Sequence, residues 1–200
     1  MKDLPEHQVQ KFVEEYRSTV AIPHFRGKQF LLCPIGIIGS GKTTVMKPLA
    51  EKLGLVRIST DEIRKILKEN HFNYNKAEDI TFAVLNFFAN RKFGVAMDAD
   101  CVRQEKTKKI EELAAKLKIP IIWIHINPPE EFILNKLKNF QHTWLFKDAE
   151  DAIRNYEVRK QLHKNLHSDF AYTFDPSRSD LTDQIEEAIS IIKRGMSVTL

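Results

Sequence analysis

Gly36-Ile37-Ile38-Gly39-Ser40-Gly41-Lys42-Thr43 is the stretch from which the fold of this 200-residue chain is predicted. It satisfies the Walker A pattern G-x-x-x-x-G-K-[ST] at every position. Its glycines let the backbone curl so that several N–H groups point at one phosphate, and a following helix adds its positive N-terminal end. Lys42 is placed to bridge the β- and γ-phosphates of a nucleotide, and the Thr43 hydroxyl to bind Mg²⁺. The predicted nucleotide-binding residues are Gly36, Gly39, Ser40, Gly41, Lys42, Thr43 and Thr44.

The segments on either side of the loop argue against a chance match. Residues 30–35 form an apolar run that predicts a buried strand entering the loop. Apolar residues at helical spacing over 45–53 predict a helix leaving it. A strand, a glycine loop and a helix in this order are the context in which the motif binds phosphate.

Apolar runs alternate with amphipathic segments along the rest of the chain. The runs predict further strands at 55–58, 93–97, 120–126 and 170–174. About eight amphipathic segments predict helices between and around them, including one over 9–16 before the first strand. Alternating strands and helices are typical of parallel sheets. The sequence thus predicts an α/β fold, a three-layer αβα sandwich with a parallel sheet of about five strands.

The length of the chain suits one compact domain with a small lid, so residues 1–200 are interpreted as a single domain. Residues 1–28 are predicted to be an N-terminal helical extension. Residues 139–150 interrupt the alternation with a polar stretch of little periodicity. A lid is therefore predicted over about 139–165.

The composition narrows the class of protein. Lys and Arg number 31 against 27 Asp and Glu, a net charge of +4, which suits an anionic substrate but also an ordinary lysine-rich surface. No apolar run reaches the ~18 residues that span a bilayer, so no membrane partner is expected. The N-terminus has no apolar signal core, and the two cysteines, Cys33 and Cys101, lie in or beside apolar runs. A cytoplasmic protein with reduced thiols is expected.

Two aspartates follow the third predicted strand. Asp98 ends the run 94–98, which resembles a Walker B strand, and Asp100 lies two residues further on. A carboxylate at the carboxyl edge of a parallel sheet points into the crevice where ligands bind. Thr43, Asp98 and Asp100 are therefore the candidate Mg²⁺-binding residues. The alternative for Asp100 is a turn carboxylate that caps the next helix.

A second acidic corner follows the second predicted strand. Asp61 and Arg64 are three residues apart and share a face of the predicted helix. In a kinase, a carboxylate in this place orients and deprotonates the hydroxyl that receives the phosphate, and the arginine can hold an anion of the acceptor. Lys42, Asp61 and Arg64 are thus the candidate catalytic residues. The alternative is a helix N-cap at Asp61 and a surface ion pair for Arg64.

Residues 36–44, the Asp61-x-x-Arg64 pair and Asp98-Ala99-Asp100 together resemble the small P-loop kinase family, which includes polynucleotide 5′-hydroxyl kinases, zeta-toxin-like kinases and related small-molecule kinases with AAA-type ATP-binding domains. The resemblance spans about residues 30–192. It implies a P-loop NTPase fold of the nucleoside-kinase type, with ATP and Mg²⁺ as cofactors. It also implies that Asp61 is the general base and that Arg64 contacts an anionic group of the acceptor.

Two features depart from the family pattern. Relatives commonly carry Asn where this chain has Cys101, and they carry arginines on the lid helix where residues 131–139 hold only lysines. Lysine lacks the planar fork with which arginine holds phosphoryl oxygens. Arg154 or Arg159 on the next helix is the candidate to replace the missing arginines.

The expected activity is transfer of the γ-phosphoryl of Mg-ATP to a hydroxyl of a small or nucleotide-like acceptor. Polynucleotide 5′-hydroxyl phosphorylation is an alternative, although the basic residues are dispersed and no stripe of stacking aromatics stands out. A switch or assembly ATPase that needs no acceptor is the other. The sequence does not identify the acceptor.

Overall fold

The computed structural model describes residues 1–24, 27–139, 145–164, 166 and 169–198. Five strands form one sheet in the order β2-β3-β1-β4-β5. All neighbouring strands are parallel. The strands are β1 (Leu31–Ile35), β2 (Val56–Ser59), β3 (Val95–Asp98), β4 (Ile121–Ile126) and β5 (Tyr172–Phe174). All five predicted strands are present, and their ends differ from the predicted ones by at most two residues.

Helices connect the strands and cover both faces of the sheet. They are α1 (Glu6–Thr19), α2 (Lys42–Leu53), α3 (Thr60–Glu69), α4 (Ala77–Asn90), α5 (Gln104–Leu117), α6 (Glu130–Lys138), α7 (Ala149–Lys160) and α8 (Leu181–Val198), with a 3₁₀ turn at Gln161–His163. The predicted three-layer α/β sandwich with a parallel sheet is confirmed.

The alternation of side chains along β1 creates the three layers. Leu31 and Cys33 belong to one buried cluster, which contains side chains of α1, α3, α4 and α5. Leu32 belongs to a second cluster on the opposite face, formed with α2 and α8. Every residue of β1 is buried because successive side chains enter different cores. This explains why the strand is a continuous apolar run in the sequence.

The central position of β1 sets the location of the site. Its neighbours in the sheet are β3 and β4. From β1 the chain moves to β2 and β3 on one side of β1, and it then crosses to β4 and β5 on the other side. The carboxyl edge at such a reversal of strand order is where open α/β sheets bind ligands. The phosphate loop follows β1 at this edge, and Asp98 ends β3 beside it.

The segment before β1 packs into the main core. On α1 the side chains of Phe12, Val13 and Tyr16 are buried against the first cluster. Phe12 meets Phe72 edge to face, with ring centroids 5.6 Å apart. Of the predicted extension 1–28, residues 25 and 26 lie outside the described residues.

The helices after β4 pack over the phosphate loop. Ile133 and Leu137 of α6 form a small cluster with Ala152 and Tyr156 of α7 and with Ile37 of the loop. Residues 140–144 and 165 of the predicted lid lie outside the described part of the chain. The division into extension, core and lid stays a prediction. Within the described ranges, no helix has both the length and the apolar character that crossing a bilayer requires.

Replacing Leu32 with alanine tests the buried contacts of the central strand. Leu32 is 0% exposed, so the truncation leaves a cavity between the sheet and α2. We expect the free energy of unfolding to fall by about 2–5 kcal/mol, measured by urea titration. The exposed control Lys108→Ala should stay within about 0.5 kcal/mol of the parent. A loss below about 1 kcal/mol for Leu32→Ala would contradict this packing.

Candidate active site

The phosphate loop has the backbone that its glycines predict. Gly39 and Gly41 adopt φ angles of 80° and 93°, which residues with a Cβ rarely accept. A Cβ at Gly36 would lie 2.8 Å from Ser40 Oγ and 2.9 Å from the carbonyl oxygen of Ile126. The loop therefore requires glycine at these three positions, and α2 begins directly after Gly41.

Lys42 and Thr44 line the cavity beside this loop, whereas the Ser40 side chain is fully buried. Lys42 Nζ donates to the carbonyl oxygens of Gly36 and Ile37, at 2.8 and 2.9 Å. The ammonium group is thus held against its own loop. Ser40 Oγ has no hydrogen-bond partner among the described residues, and a nucleotide-binding role for Ser40 stays a prediction.

Thr43 and Asp98 meet at the metal-binding position that the sequence predicts. Thr43 Oγ1 donates to Asp98 Oδ1 over 3.1 Å, although 55 residues separate them. A hydroxyl and a carboxylate oxygen side by side are hard donors of the kind that Mg²⁺ prefers. No group of three or more His, Cys, Asp or Glu side chains within the described ranges could hold a metal alone. Because Mg²⁺ commonly takes few protein ligands beside phosphates and water, these residues fit it, and Thr43 and Asp98 would hold it.

Asp98 is compensated by a cation that the sequence interpretation missed. Its other oxygen, Oδ2, accepts from Arg57 in the middle of β2. Burial raises the pKa of the Asp98 carboxyl, and Arg57, Thr43 and Lys42 oppose that rise. The Asp98 side chain is only 2% exposed, and a carboxylate buried to this extent needs such partners to stay charged.

Asp100 lies next to Asp98, but its two oxygens are engaged by the protein. Oδ1 accepts from the backbone N–H of Gly36 at 3.5 Å and of Val102 at 3.3 Å, while Oδ2 lies 3.1 Å from His163 Nε2. Burial alone would raise the pKa of Asp100, but the bond with His163 and the charge of Lys42 hold it below its ordinary value. Asp100 thus joins the phosphate loop to the 3₁₀ turn after α7, and a metal-binding role for it stays a prediction.

Asp61 and Arg64 line the same cavity as the phosphate loop. Ser59 is the N-cap of α3, since its Oγ accepts from the N–H of Glu62, so Asp61 lies in the first turn of the helix. Arg64 NH1 donates to Asp61 Oδ1 over 2.8 Å. The pair that the sequence assigns to the acceptor is therefore joined within the helix, with the aspartate side chain 47% exposed and the arginine 30%.

The cavity has a volume of about 510 Å³ and carries more cations than anions. Its acidic side chains are Asp61, Glu78, Asp98 and Asp100, and its basic side chains are Lys42, Arg64, Arg103, Lys106, Lys136 and Arg159. The phosphate loop lines the cavity together with the first turns of α3 and α5 and with residues of α6 and α7. This excess of basic side chains would suit an anionic ligand in addition to the nucleotide phosphates.

Three further cations, Arg103, Lys106 and Arg159, line the cavity. The run from Arg103 to Lys109 reads as the outer face of a helix, but Arg103 and Lys106 turn inward. Lys106 is 7% exposed, and its Nζ donates to the carbonyl oxygen of Asp100 over 3.1 Å. Arg159 also faces the cavity, whereas Arg154 is paired with Asp151 on the surface. Of the two arginines offered for the lid, the structure brings only Arg159 to the site.

Lys136 of α6 lies beside the phosphate loop. A Cβ at Gly41 would lie 3.9 Å from its Nζ. Burial, with Lys42 as a neighbour, lowers the pKa of Lys136. Two ammonium groups converging on one loop are stabilised by a bound polyanion.

His125 on β4 provides a test of pH dependence near this site. Burial, with His163 close by, lowers the pKa of His125. The unfolded chain therefore binds this proton more readily, and stability falls as the pH drops below the ordinary histidine pKa of about 6.5. His125→Phe, which retains the stacking on Phe170 seen at 4.8 Å, should lose less stability between pH 7.5 and 5.5 than the parent. Urea unfolding at the two pH values measures this, and equal losses would contradict it.

Comparison with known proteins finds kinases that are similar to this chain in sequence or in fold. A shikimate kinase from Dehalococcoides mccartyi is 25% identical over 168 residues, which cover 78% of this chain and 90% of that protein. A gluconokinase from Sinorhizobium meliloti 1021 superposes with a TM-score of 0.58 at 13% identity, covering 85% of this chain and 94% of its own. The APS kinase of Mycobacterium tuberculosis, solved with AMPPNP and APS, has a TM-score of 0.54 at 14% identity, covering 84% and 99%.

The family match covers the segment that carries the predicted site. Residues 31–143, more than half of the chain, match the family described as AAA domain. They include the phosphate loop, Asp61, Arg64, Asp98 and Asp100. The resemblance to small P-loop kinases predicted from the sequence is confirmed, and the chain belongs to the AAA domain family.

Proposed function

We propose that this chain transfers the γ-phosphoryl group of Mg-ATP to a hydroxyl of a small acceptor that also carries an anionic group. The observation that carries the proposal is one cavity lined by both the phosphate loop and the Asp61–Arg64 pair. A donor phosphate on the loop and an acceptor beside Asp61 would share this space. The relatives that are named as kinases support phosphotransfer.

The chemistry assigned to each residue follows from its position. Lys42 binds the β- and γ-phosphates and stabilises the charge that spreads over the transferring phosphoryl group. Bound Mg²⁺ would neutralise the phosphate oxygens, held by Thr43 and Asp98. Asp61 accepts the proton of the acceptor hydroxyl, whose oxygen forms the new bond to the γ-phosphorus. The bond from that phosphorus to the β–γ bridging oxygen breaks, and ADP leaves with the electron pair.

Three guanidinium groups support an anionic acceptor. Arg64, Arg103 and Arg159 line the cavity, and Arg64 is bonded to Asp61. Burial lowers the pKa of Arg159, and the charges of Arg103 and Arg64 close by lower it further. Guanidinium groups close together repel one another and favour an anion between them. Planar forks of this kind bind a carboxylate or a phosphate with two hydrogen bonds.

The size of the cavity favours a small acceptor over a polynucleotide. About 510 Å³ is within the range of small-molecule sites. The names shikimate kinase and gluconokinase refer to small hydroxy acids, which supports the same class of acceptor here. The polynucleotide alternative would need a groove that continues beyond the cavity.

The test of this proposal is the acceptor dependence of ADP release. We expect ADP release from ATP to rise at least about tenfold with a pool of hydroxylated carboxylates or sugar phosphates, the discrimination expected when charge-assisted bonds worth about 1.5–3 kcal/mol form. Pools of neutral sugars and of 5′-hydroxyl oligonucleotides serve as comparisons. Equal ADP release with all pools and without any acceptor would contradict the proposal and favour a switch ATPase.

Arg159→Gln tests the anion contact once an active pool is found. The variant should raise the KM for the acceptor by about tenfold or more and leave the KM for ATP within about twofold. Arg154→Gln is the matched control, since Arg154 lies on the same helix but is 71% exposed and paired with Asp151. Equal KM values for the acceptor in both variants would contradict an anion site at Arg159.

A further inference from the structure

A chain of polar contacts joins the N-terminal helix to the predicted metal position. Arg57 donates from NH1 to Asp98 and from NH2 to Glu62. Glu62 in turn accepts from the hydroxyl of Tyr16 over 3.2 Å. The contacts thus run from α1 through α3 and β2 to the end of β3, and they reach Thr43 through Asp98.

Tyr16 of α1 lies at one end of this series of polar contacts, where packing and hydrogen bonds fix its side chain. It is 2% exposed and packs in the first core cluster. Its hydroxyl accepts the backbone N–H of Ser59 over 2.7 Å, besides donating to Glu62. Ser59 ends β2 and caps α3, the helix that carries Asp61. One tyrosine hydroxyl therefore restrains both Glu62 and the corner between β2 and α3.

Arginine suits this position for a geometric reason. Its planar fork offers separate N–H groups, so one guanidinium binds Asp98 and Glu62 together. Arg57 occupies Oδ2 of Asp98, which leaves Oδ1 directed to Thr43. The carboxylate therefore presents one defined oxygen at the position where Mg²⁺ fits.

We propose that Arg57, held by Glu62 and Tyr16, is a positioning residue that orients the Asp98 carboxylate for a divalent cation. The proposal rests on the proposed function, since the cation would be that of Mg-ATP. It makes α1 part of the machinery of the site, although α1 lies before the segment 31–143 that matches the family.

Repulsion of the cation by Arg57 and orientation of Asp98 by Arg57 predict opposite results. If its positive charge merely repelled the cation, its removal would strengthen Mg²⁺ binding. If it orients Asp98, its removal weakens Mg²⁺ binding, because residues that hold a ligand of a metal typically contribute about 10–100-fold to metal affinity. The sign of the change in Arg57→Gln thus separates repulsion of the cation from support of Asp98. Tyr16→Phe and Glu62→Gln, which keep the charge of Arg57, then separate orientation of the carboxylate from compensation of its charge.

The experiment measures binding of the non-hydrolysable analogue AMP-PNP by calorimetry, once with Mg²⁺ and once with EDTA. The ratio of the two Kd values is the gain in affinity from the metal. Arg57→Gln should reduce this gain by about tenfold or more, with the Kd in EDTA unchanged. Tyr16→Phe and Glu62→Gln, which keep Arg57, should reduce it by a smaller factor, and Arg57→Lys should fall between Arg57→Gln and the parent. Arg194→Gln, an exposed change on α8, is the control.

Urea unfolding of every variant reports whether it folds. If Arg57→Gln does not fold, Tyr16→Phe and Glu62→Gln decide the question. A gain that stays at the parental value in both Tyr16→Phe and Glu62→Gln, or that increases in Arg57→Gln, would overturn the proposal while the proposed function stands. A parent protein that binds AMP-PNP no better with Mg²⁺ would overturn the proposed function, and this proposal with it.

Discussion

Lys42→Ala is expected to lower the rate of phosphoryl transfer by about 10²–10³-fold or more, the loss seen when one preorganised charge partner is removed. In the structure Lys42 Nζ is bound to two carbonyl oxygens of its own loop, so its contacts with the fold are local. A nucleotide would offer its phosphates to the same ammonium group. The measurement is the initial rate of ADP release at saturating acceptor.

The control for this variant lies on the same helix. Lys52 is in the last turn of α2, 48% exposed and paired with Glu186. Lys52→Ala should retain the parental rate, and both variants should unfold in urea close to the parent. A Lys42→Ala protein that keeps its fold and more than about a tenth of the parental rate would contradict the assigned role.

Asp61→Asn is expected to lower kcat by about 10²–10⁴-fold, the usual contribution of a general base. The amide keeps the shape of the side chain but accepts no proton from the acceptor hydroxyl. The KM for ATP should change little, because Asp61 lies on α3 and not on the phosphate loop. Stopped assays with the active acceptor pool measure both constants.

Glu111→Gln, an exposed carboxylate on α5, is the control for charge removal. Arg64 loses its ion-pair partner in Asp61→Asn, so the KM for the acceptor should also be measured. A parental kcat in Asp61→Asn, in a protein that still folds, would remove Asp61 as the base. A higher KM for the acceptor at unchanged kcat would instead assign Asp61 to acceptor binding.

The parts predicted from the sequence are those with a local signal. The apolar run of β1 and the glycines of the loop define a strand, a turn and a helix within 24 residues, 30–53. Asp61 and Asp98 were placed correctly at the carboxyl edge because parallel strands bring their ends to one edge. Each of these inferences depends on spacing within one strand–helix unit.

The residues missed are those whose role depends on partners far along the chain. Arg57 lies within a short strand and meets Asp98, 41 residues away. His163 meets Asp100 across 63 residues, and nothing in the sequence around His163 indicates this contact. A helix with lysine and arginine on several faces does not reveal which of them points inward, so the sequence does not place Arg103 and Lys106 at the site. Whether a basic side chain of α5 or α7 points into the cavity depends on how these helices pack around it.

The most direct measurement is transfer of label from [γ-³²P]ATP, with the parent and Lys42→Ala compared against the same pools of acceptors. We expect label to appear in an organic product from the anionic hydroxylated pool, and to be absent in the Lys42→Ala reaction. Release of label only as inorganic phosphate from the parent, with every pool and without any acceptor, would contradict phosphotransfer to a hydroxyl.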